Sequence, residues 1–206
     1  MRSSKVTSRF FMKQVYKEVK SWYNNNLDSY LKSGDVLMQD KLDKFLECVS
    51  KKGKILDMGS GTGRDVKYFI EKGYDGFGID ISEKMIAYAN KNNKGKFYLM
   101  NMVQLIFEGN YFDGIWASSS LFTHLTFNDI ESSLKEVRRT LKKNGVFGVI
   151  AMKKEKGDIE PDDFVFNKFT KKEILVYLTK CGFKSFYIKK FSAHKRDWFY
   201  IISKKI

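Results

Sequence analysis

Hydrophobic and polar positions along the chain change their period several times, and each change marks an element. Phe11, Val15, Val19 and Trp22 recur at spacings of four, four and three and so share one helical face, predicting an amphipathic helix over Phe11–Tyr23. Asn24-Asn25-Asn26 breaks it, because asparagine side chains compete for backbone hydrogen bonds, and a loop is expected to follow. Leu42, Phe45 and Leu46 define a second helix within Leu37–Val49. From Lys54 onward short apolar runs alternate with helical periods. The pattern reads strand Lys54–Met58, helix Gly63–Lys72, strand Gly76–Asp80, helix Glu83–Lys91, strand Lys96–Met100 and strand Phe112–Ala117. It continues with helix Asn128–Lys142, strand Val146–Met152, helix Lys171–Cys181 and strands Phe183–Phe191 and Trp198–Ser203. Alternation of this kind predicts an α/β protein whose mostly parallel, seven-stranded sheet is covered by helices on both faces. Only Ser192–Asp197 separates the last two strands, too little for a crossover, so they form an antiparallel hairpin at one edge. Residues 1–50 read as an N-terminal helical extension and residues 51–206 as the sheet domain. Pro161, the sole proline, marks one long irregular segment before the last helix, of the kind that often serves as a lid.

Composition narrows the class. The 206 residues are 43% hydrophobic and 30% charged, a balance that excludes whole-chain disorder and fibrous repeats. The longest stretch without a charged side chain, Gly114–Asn128, is too short and polar to span a bilayer, and Arg9 and Lys13 interrupt any secretory core, so a cytoplasmic location is expected. Cys48 and Cys181, with His124 and His194, give no metal-ligand spacing. The net charge of +14 is unevenly placed: +6 over residues 1–56, +1 over 57–150 and +7 over 151–206. Lysines outnumber arginines 32 to 6, which suits solubility or an anionic partner near the terminal segments better than bidentate base readout.

The chemistry concentrates after the first strand. Asp57-Met58-Gly59-Ser60-Gly61-Thr62-Gly63-Arg64 is a glycine-rich strand-to-helix turn, in which a ligand reaches the backbone and the free N–H groups of a helix start. Arg64 stands where the dinucleotide fingerprint needs a further glycine, and the Gly-Lys-Ser/Thr of a P-loop is absent. The match is Asp-x-Gly-x-Gly-x-Gly, with Asp80 ending the second strand 23 residues after Asp57, where a carboxylate can hold ribose hydroxyls.

With these motifs the chain resembles the class I S-adenosylmethionine-dependent methyltransferases, which have a Rossmann-like sheet; the resemblance covers essentially the whole chain. It implies S-adenosyl-L-methionine as cofactor and S-adenosyl-L-homocysteine as product. By resemblance Gly59, Ser60, Gly61 and Gly63 wrap the methionine moiety, Asp57 orients its ammonium group, Asp80 binds the ribose and Ile81 packs on the adenine. Asn101 takes the place of a frequent acidic residue for the adenine amino group and is followed by Met102. Phe112–Ala117 matches the next motif, with Ala117 and Ser118 near the sulfonium. Leu141-Lys142-Lys143-Asn144-Gly145 stands where many members have Leu-Lys-Pro-Gly-Gly. Tyr23-Asn24-Asn25-Asn26-Leu27-Asp28-Ser29-Tyr30 resembles the Tyr-x-x-Asn-Ala-x-x-Tyr segment of bacterial small-molecule methyltransferases, with Leu27 in place of alanine. There Tyr23 and Tyr30 either close over the methionine end or cap the core, and Arg64 either meets the methionine carboxylate or pairs with Asp65.

Methyl transfer from a sulfonium already has a good leaving group, so alignment and exclusion of water are the main demands. His124, just past the fourth strand, is the candidate catalytic residue, as a base for a hydroxyl acceptor or as a positioning group; His194 reads as part of a basic hairpin turn. The Asn/Asp-Pro-Pro-Tyr/Phe and Pro-Cys motifs of nucleic acid base methyltransferases are impossible with Pro161 as the only proline. A small-molecule acceptor, methylated on O or N, is therefore expected, and the lysine-rich segments around the acceptor side point to an anionic one. The alternatives are an RNA methyltransferase acting through the basic terminal segments and a non-catalytic S-adenosylmethionine-binding regulatory protein.

Overall fold

The strands form in the computed structural model as β1 (Lys54–Met58), β2 (Asp75–Asp80), β3 (Lys96–Leu99), β4 (Phe112–Ser118), β5 (Leu141–Met152), β6 (Phe183–Ala193) and β7 (Arg196–Lys205). The structure describes residues 16–33, 36–155, 158 and 167–206; Phe11, Val15 and Pro161 lie outside them. The strands make one sheet in the order β3-β2-β1-β4-β5-β7-β6, and β7 runs antiparallel to both neighbours. The late hairpin is thus at the edge as expected, with its second strand turned inward against β5.

Helices α1 (residues 16–25) and α2 (Leu27–Ser33) precede α3 (Gln39–Leu46), and α4 (Arg64–Glu71) and α5 (Glu83–Asn92) follow β1 and β2. After β4 come α6 (Leu121–His124) and α7 (Phe127–Thr140), and α8 (Lys171–Lys180) precedes β6. The central strands are apolar on both sides because both sides are covered. Leu42 and Phe45 of α3 and Phe69 of α4 pack with Trp116 and Tyr200 on one face. Leu121, Ile130, Leu134, Ile174 and Leu178 pack with Leu56, Ile115 and Phe147 on the other. No helix among the described residues is long and apolar enough to cross a membrane.

Three local expectations are corrected, and one short helix was not foreseen. The segment after the asparagines is helix α2, not a loop: the interruption at Asn26 is local, since Asn26 N–H still bonds Trp22 O at 3.0 Å and Tyr30 N–H bonds Asn26 O at 2.9 Å. Trp22 is 41% exposed although it shares a helical stripe with buried Val19. Helix α7 stops at Thr140, not Lys142, and β5 begins at Leu141, not Val146, because Leu141 already pairs with Phe112 and a register shift with left-handed Asn144 (φ 64°) absorbs the rest. The one-turn helix α6 has no periodicity to betray it within an uncharged run.

Gly63 shows why the turn into α4 needs glycine. It caps the helix at φ 82°, and a Cβ there would lie 2.6 Å from Phe97 Cζ. Gly63→Ala is expected to destabilise the fold by about 2 kcal/mol, from left-handed strain plus overpacking, read as a lower urea midpoint at unchanged slope.

Candidate active site

The sheet order reverses at β1, which is flanked by β2 and β4, and in open α/β sheets the crevice beyond the carboxyl ends of such strands is the binding site. A cavity of about 340 Å³ lies there. Its floor is the glycine turn, pinned to β2 by the N–H groups of Gly59 and Ser60, which both donate to Ile79 O at 2.8 and 2.9 Å. Gly59, Gly61 and Gly63 have φ of 80°, 51° and 82°. A Cβ on Gly59 would meet Ser120 Cβ at 2.5 Å, so the turn and the segment after β4 touch backbone to side chain.

Asp80 ends β2 at the cavity wall and accepts backbone N–H groups on both oxygens, Gly61 to Oδ2 at 3.0 Å and Ser82 to Oδ1 at 2.8 Å. Burial raises its pKa, and the backbone N–H groups of Ser82, Gly61 and Ile81 act against that rise. Each oxygen keeps a further lone pair, the arrangement that suits two vicinal hydroxyls. Asp57 is different: it is 3% exposed, and no described residue donates a hydrogen bond to its carboxylate. Burial first, and then the nearby Asp65, push its pKa well above the carboxylate range, with Arg64 opposing. Asp65 accepts from Arg64 Nε at 2.7 Å and from the Trp116 indole at 2.9 Å. A buried carboxylate without a donor beside a cavity fits a cationic ligand group.

The N-terminal helices close the site from above. Asn24 Oδ1 accepts from Ser82 Oγ at 2.7 Å and from Lys84 N–H at 3.1 Å, tying α1 to the start of α5. Tyr30 stands over the glycine turn, its hydroxyl 3.6 Å from where a Gly61 Cβ would be. Tyr23 lies edge-on to Tyr30, and its hydroxyl is 2.9 Å from His124 Nε2. Burial pushes the Tyr23 phenol well above its ordinary pKa, so it stays protonated.

Of the residues named from the sequence, Tyr23, Tyr30, Gly59, Gly61 and Arg64 line the cavity, as do Asp80, Ile81, Met102, Ser118 and His124. Asp57, Ser60, Gly63 and Ala117 are not among its lining residues. Asn101 also lies outside it, its carboxamide oxygen accepting Val103 N–H at 3.1 Å. Arg64 both lines the cavity and pairs with Asp65, so the two readings of it are compatible. Sequence reasoning missed Ser119, held at φ 51° between Ser118 and Ser120, and Met38 and Met152. It also missed the far wall, formed by Phe191, Ala193, His194, Arg196 and Trp198 of the β6–β7 hairpin. The only signal was the alternation of these side chains on two late strands, which does not say what they face. None of the described lining residues is lysine.

Residues 55–145 match a methyltransferase domain family. The protein YqeM of Bacillus subtilis is 33% identical over 113 residues, 52% of this chain and 46% of that protein. Phosphoethanolamine N-methyltransferase of Plasmodium falciparum is 29% identical over 179 residues, 81% of this chain and 66% of that protein. The chain thus spans about half to two thirds of the length of these curated relatives. Among solved structures, Burkholderia thailandensis 1,6-didemethyltoxoflavin-N1-methyltransferase with bound 1,6-didemethyltoxoflavin and S-adenosylhomocysteine superposes with a TM-score of 0.79 at 18% identity, over 96% of this chain and 89% of that one. That likeness is one of fold. Residues 55–145 thus carry a match to a methyltransferase domain, on the fold of the class I S-adenosylmethionine-dependent methyltransferases, which implies S-adenosyl-L-methionine as cofactor.

Proposed function

We propose that this protein methylates an O or N atom of a small molecule by in-line displacement. The observation that carries the reading is the single cavity that runs from the glycine turn and Asp80 to His124 and the β6–β7 hairpin, roofed by Tyr23 and Tyr30. Its volume suits a small ligand, and pockets of this kind bury most of a ligand's surface. The cofactor, when bound, supplies an electrophilic methyl group on a good leaving group. In this reading Asp57 holds the ammonium and Asp80 the ribose hydroxyls; Gly59, Ser60, Gly61 and Gly63 allow close backbone approach. Ile81 and Met102 border the adenine, with Asn101 behind, and Ala117 and Ser118 border the reacting end. Helices α1 and α2 of the N-terminal extension act as a cap over the sheet domain, excluding water once the cavity is filled.

His124 faces the acceptor side with Nε2 engaged by the Tyr23 hydroxyl. The two side chains form one hydrogen-bonded unit that positions the acceptor atom and passes its proton along the Tyr23–His124 contact. If they act as a unit, their loss is not additive. Tyr23→Phe and His124→Ala are each expected to lower kcat about tenfold, and the double variant no further than either single one, a coupling of about 1.4 kcal/mol. Multiplicative losses would show that they act separately.

The reading itself is tested by incubating the purified protein with S-adenosylmethionine and a library of hydroxyl- and amine-bearing small molecules, following S-adenosylhomocysteine release. Turnover with a small molecule is the expected result. Turnover only with tRNA or ribosomal RNA would replace the acceptor class with nucleic acid, and cofactor binding without turnover on any acceptor would leave a regulatory protein.

A further inference from the structure

In the far wall of the cavity, Phe191 pairs with Trp198 across β6 and β7, and Trp198 with Met152 across β7 and β5. Ala193 pairs with Arg196 one step nearer the turn. Side chains two apart on a strand share a face, so an apolar row of three side chains ends in a guanidinium at the cavity mouth. The turn that places it is His194-Lys195, at φ 51° and 60°. A two-residue turn of this hand favours Asn-Gly, and two side-chain-bearing residues in left-handed conformation are strained, which is common where geometry serves a ligand. His194 also faces the cavity, and Trp198 Nε1 braces the turn by donating to Ala193 O at 3.1 Å.

Arg196 has little to do within the protein. Nη1 donates to Met152 Sδ at 3.5 Å, a weak acceptor, and no carboxylate among the described residues lies within ion-pair distance of it. After its hydrogen bonds from Lys168 and the Glu155 backbone, the Arg196 charge helps hold the Asp158 carboxyl below its usual range, but the hydrogen bonds of the neighbouring acids go to other groups. Asp197 accepts Ser192 Oγ at 2.6 Å and Lys190 Nζ at 2.9 Å, and Asp158 accepts Lys168 Nζ at 2.6 Å. A guanidinium carries five donors in a planar fork that matches carboxylate and phosphate oxygens.

We propose that Arg196 is the specificity-determining residue of an anion subsite on the β6–β7 hairpin, and that the acceptor has an apolar body, seated on Met152, Phe191 and Trp198, with one carboxylate or phosphate group. The subsite rests on the acceptor pocket proposed above. The test uses the full chain saturated with S-adenosylhomocysteine, whose binding is measured first by calorimetry. Benzoate, phenyl phosphate and benzamide are then titrated by ligand-observed NMR against the native chain, Arg196→Gln and Arg196→Lys. At least one of the two anions is expected to bind about fivefold or more tighter than benzamide; whichever does so identifies the anionic group. Arg196→Gln is expected to erase that preference at unchanged S-adenosylhomocysteine affinity, and Arg196→Lys to keep part of it. Equal binding of anions and benzamide, no binding of any probe to the loaded protein, or a preference that survives in Arg196→Gln overturns the subsite alone. Failure of S-adenosylhomocysteine to bind overturns the cofactor placement, and the subsite with it.

Discussion

Asp80→Ala is expected to weaken binding of S-adenosylmethionine and S-adenosylhomocysteine by at least about 100-fold. Hydrogen bonds to a charged group contribute about 1.5–3 kcal/mol each, and the proposed ribose contacts use one on each carboxylate oxygen. The backbone donors of Gly61 and Ser82 already occupy the other side of those oxygens, which fixes the carboxylate plane before any ligand arrives. The substitution removes that preorganisation too, since Gly61 N–H loses its acceptor and the glycine turn one of its ties to β2. Asp80→Asn is the control for folding, because it preserves shape and one acceptor; it is expected to bind more weakly than the native chain and more tightly than Asp80→Ala. Calorimetric titration with S-adenosylhomocysteine checks both. Unchanged affinity in Asp80→Ala would mean that the ribose lies elsewhere.

The second large effect concerns Asp57, and its sign follows from linkage. In the unfolded chain this carboxyl has an ordinary carboxylate pKa, near 3.9, whereas in the fold burial first, then Asp65, with Asp80 last, hold it well higher, Arg64 opposing. The folded state therefore binds the proton more tightly. The stability this confers is complete below the unfolded pKa and is lost as pH rises through the folded one. Asp57→Asn has no proton to lose, so at and above neutral pH its ligand-free melting temperature is expected to exceed that of the native chain, and at acid pH the difference should vanish. Cofactor affinity should move the opposite way. An ammonium group beside Asp57 favours the carboxylate, so binding by the native chain is expected to release a proton and to tighten with pH across the same window. The variant is expected to lose about tenfold or more in affinity, together with that pH dependence. Calorimetry in buffers of different ionisation enthalpy reads the proton release directly. A native chain that binds without releasing a proton would remove Asp57 from the ammonium site.

Much of this was legible along the chain. Ile55, Leu56 and Met58 are apolar because β1 is covered on both faces, and the glycines after it must be glycines because the turn is left-handed at three of them. Asp80 was legible for the same reason: in this topology the end of the second strand lies beside the first turn, so a spacing in sequence stands for a distance in space. Where local signals competed, the reading slipped. Three consecutive asparagines suggested a loop, yet backbone bonds from Asn26 and Tyr30 carry the helix past them.

Sequence by itself determined the order of strands and helices, the glycine turn and its two acidic partners, because each rests on periods and spacings within a few tens of residues. Only the tertiary structure decided what the site is made of beyond the cofactor end. Tyr23 and His124 are 101 positions apart and meet because α1 docks on α5 through Asn24. Arg196 and Trp198 face the cavity because β7 inserts antiparallel between β5 and β6, which turns one face of a late hairpin toward residues that precede it by more than a hundred positions. Such contacts are set by how packed layers close on one another, and hydrophobic periodicity records which side of an element is buried but not which element it is buried against.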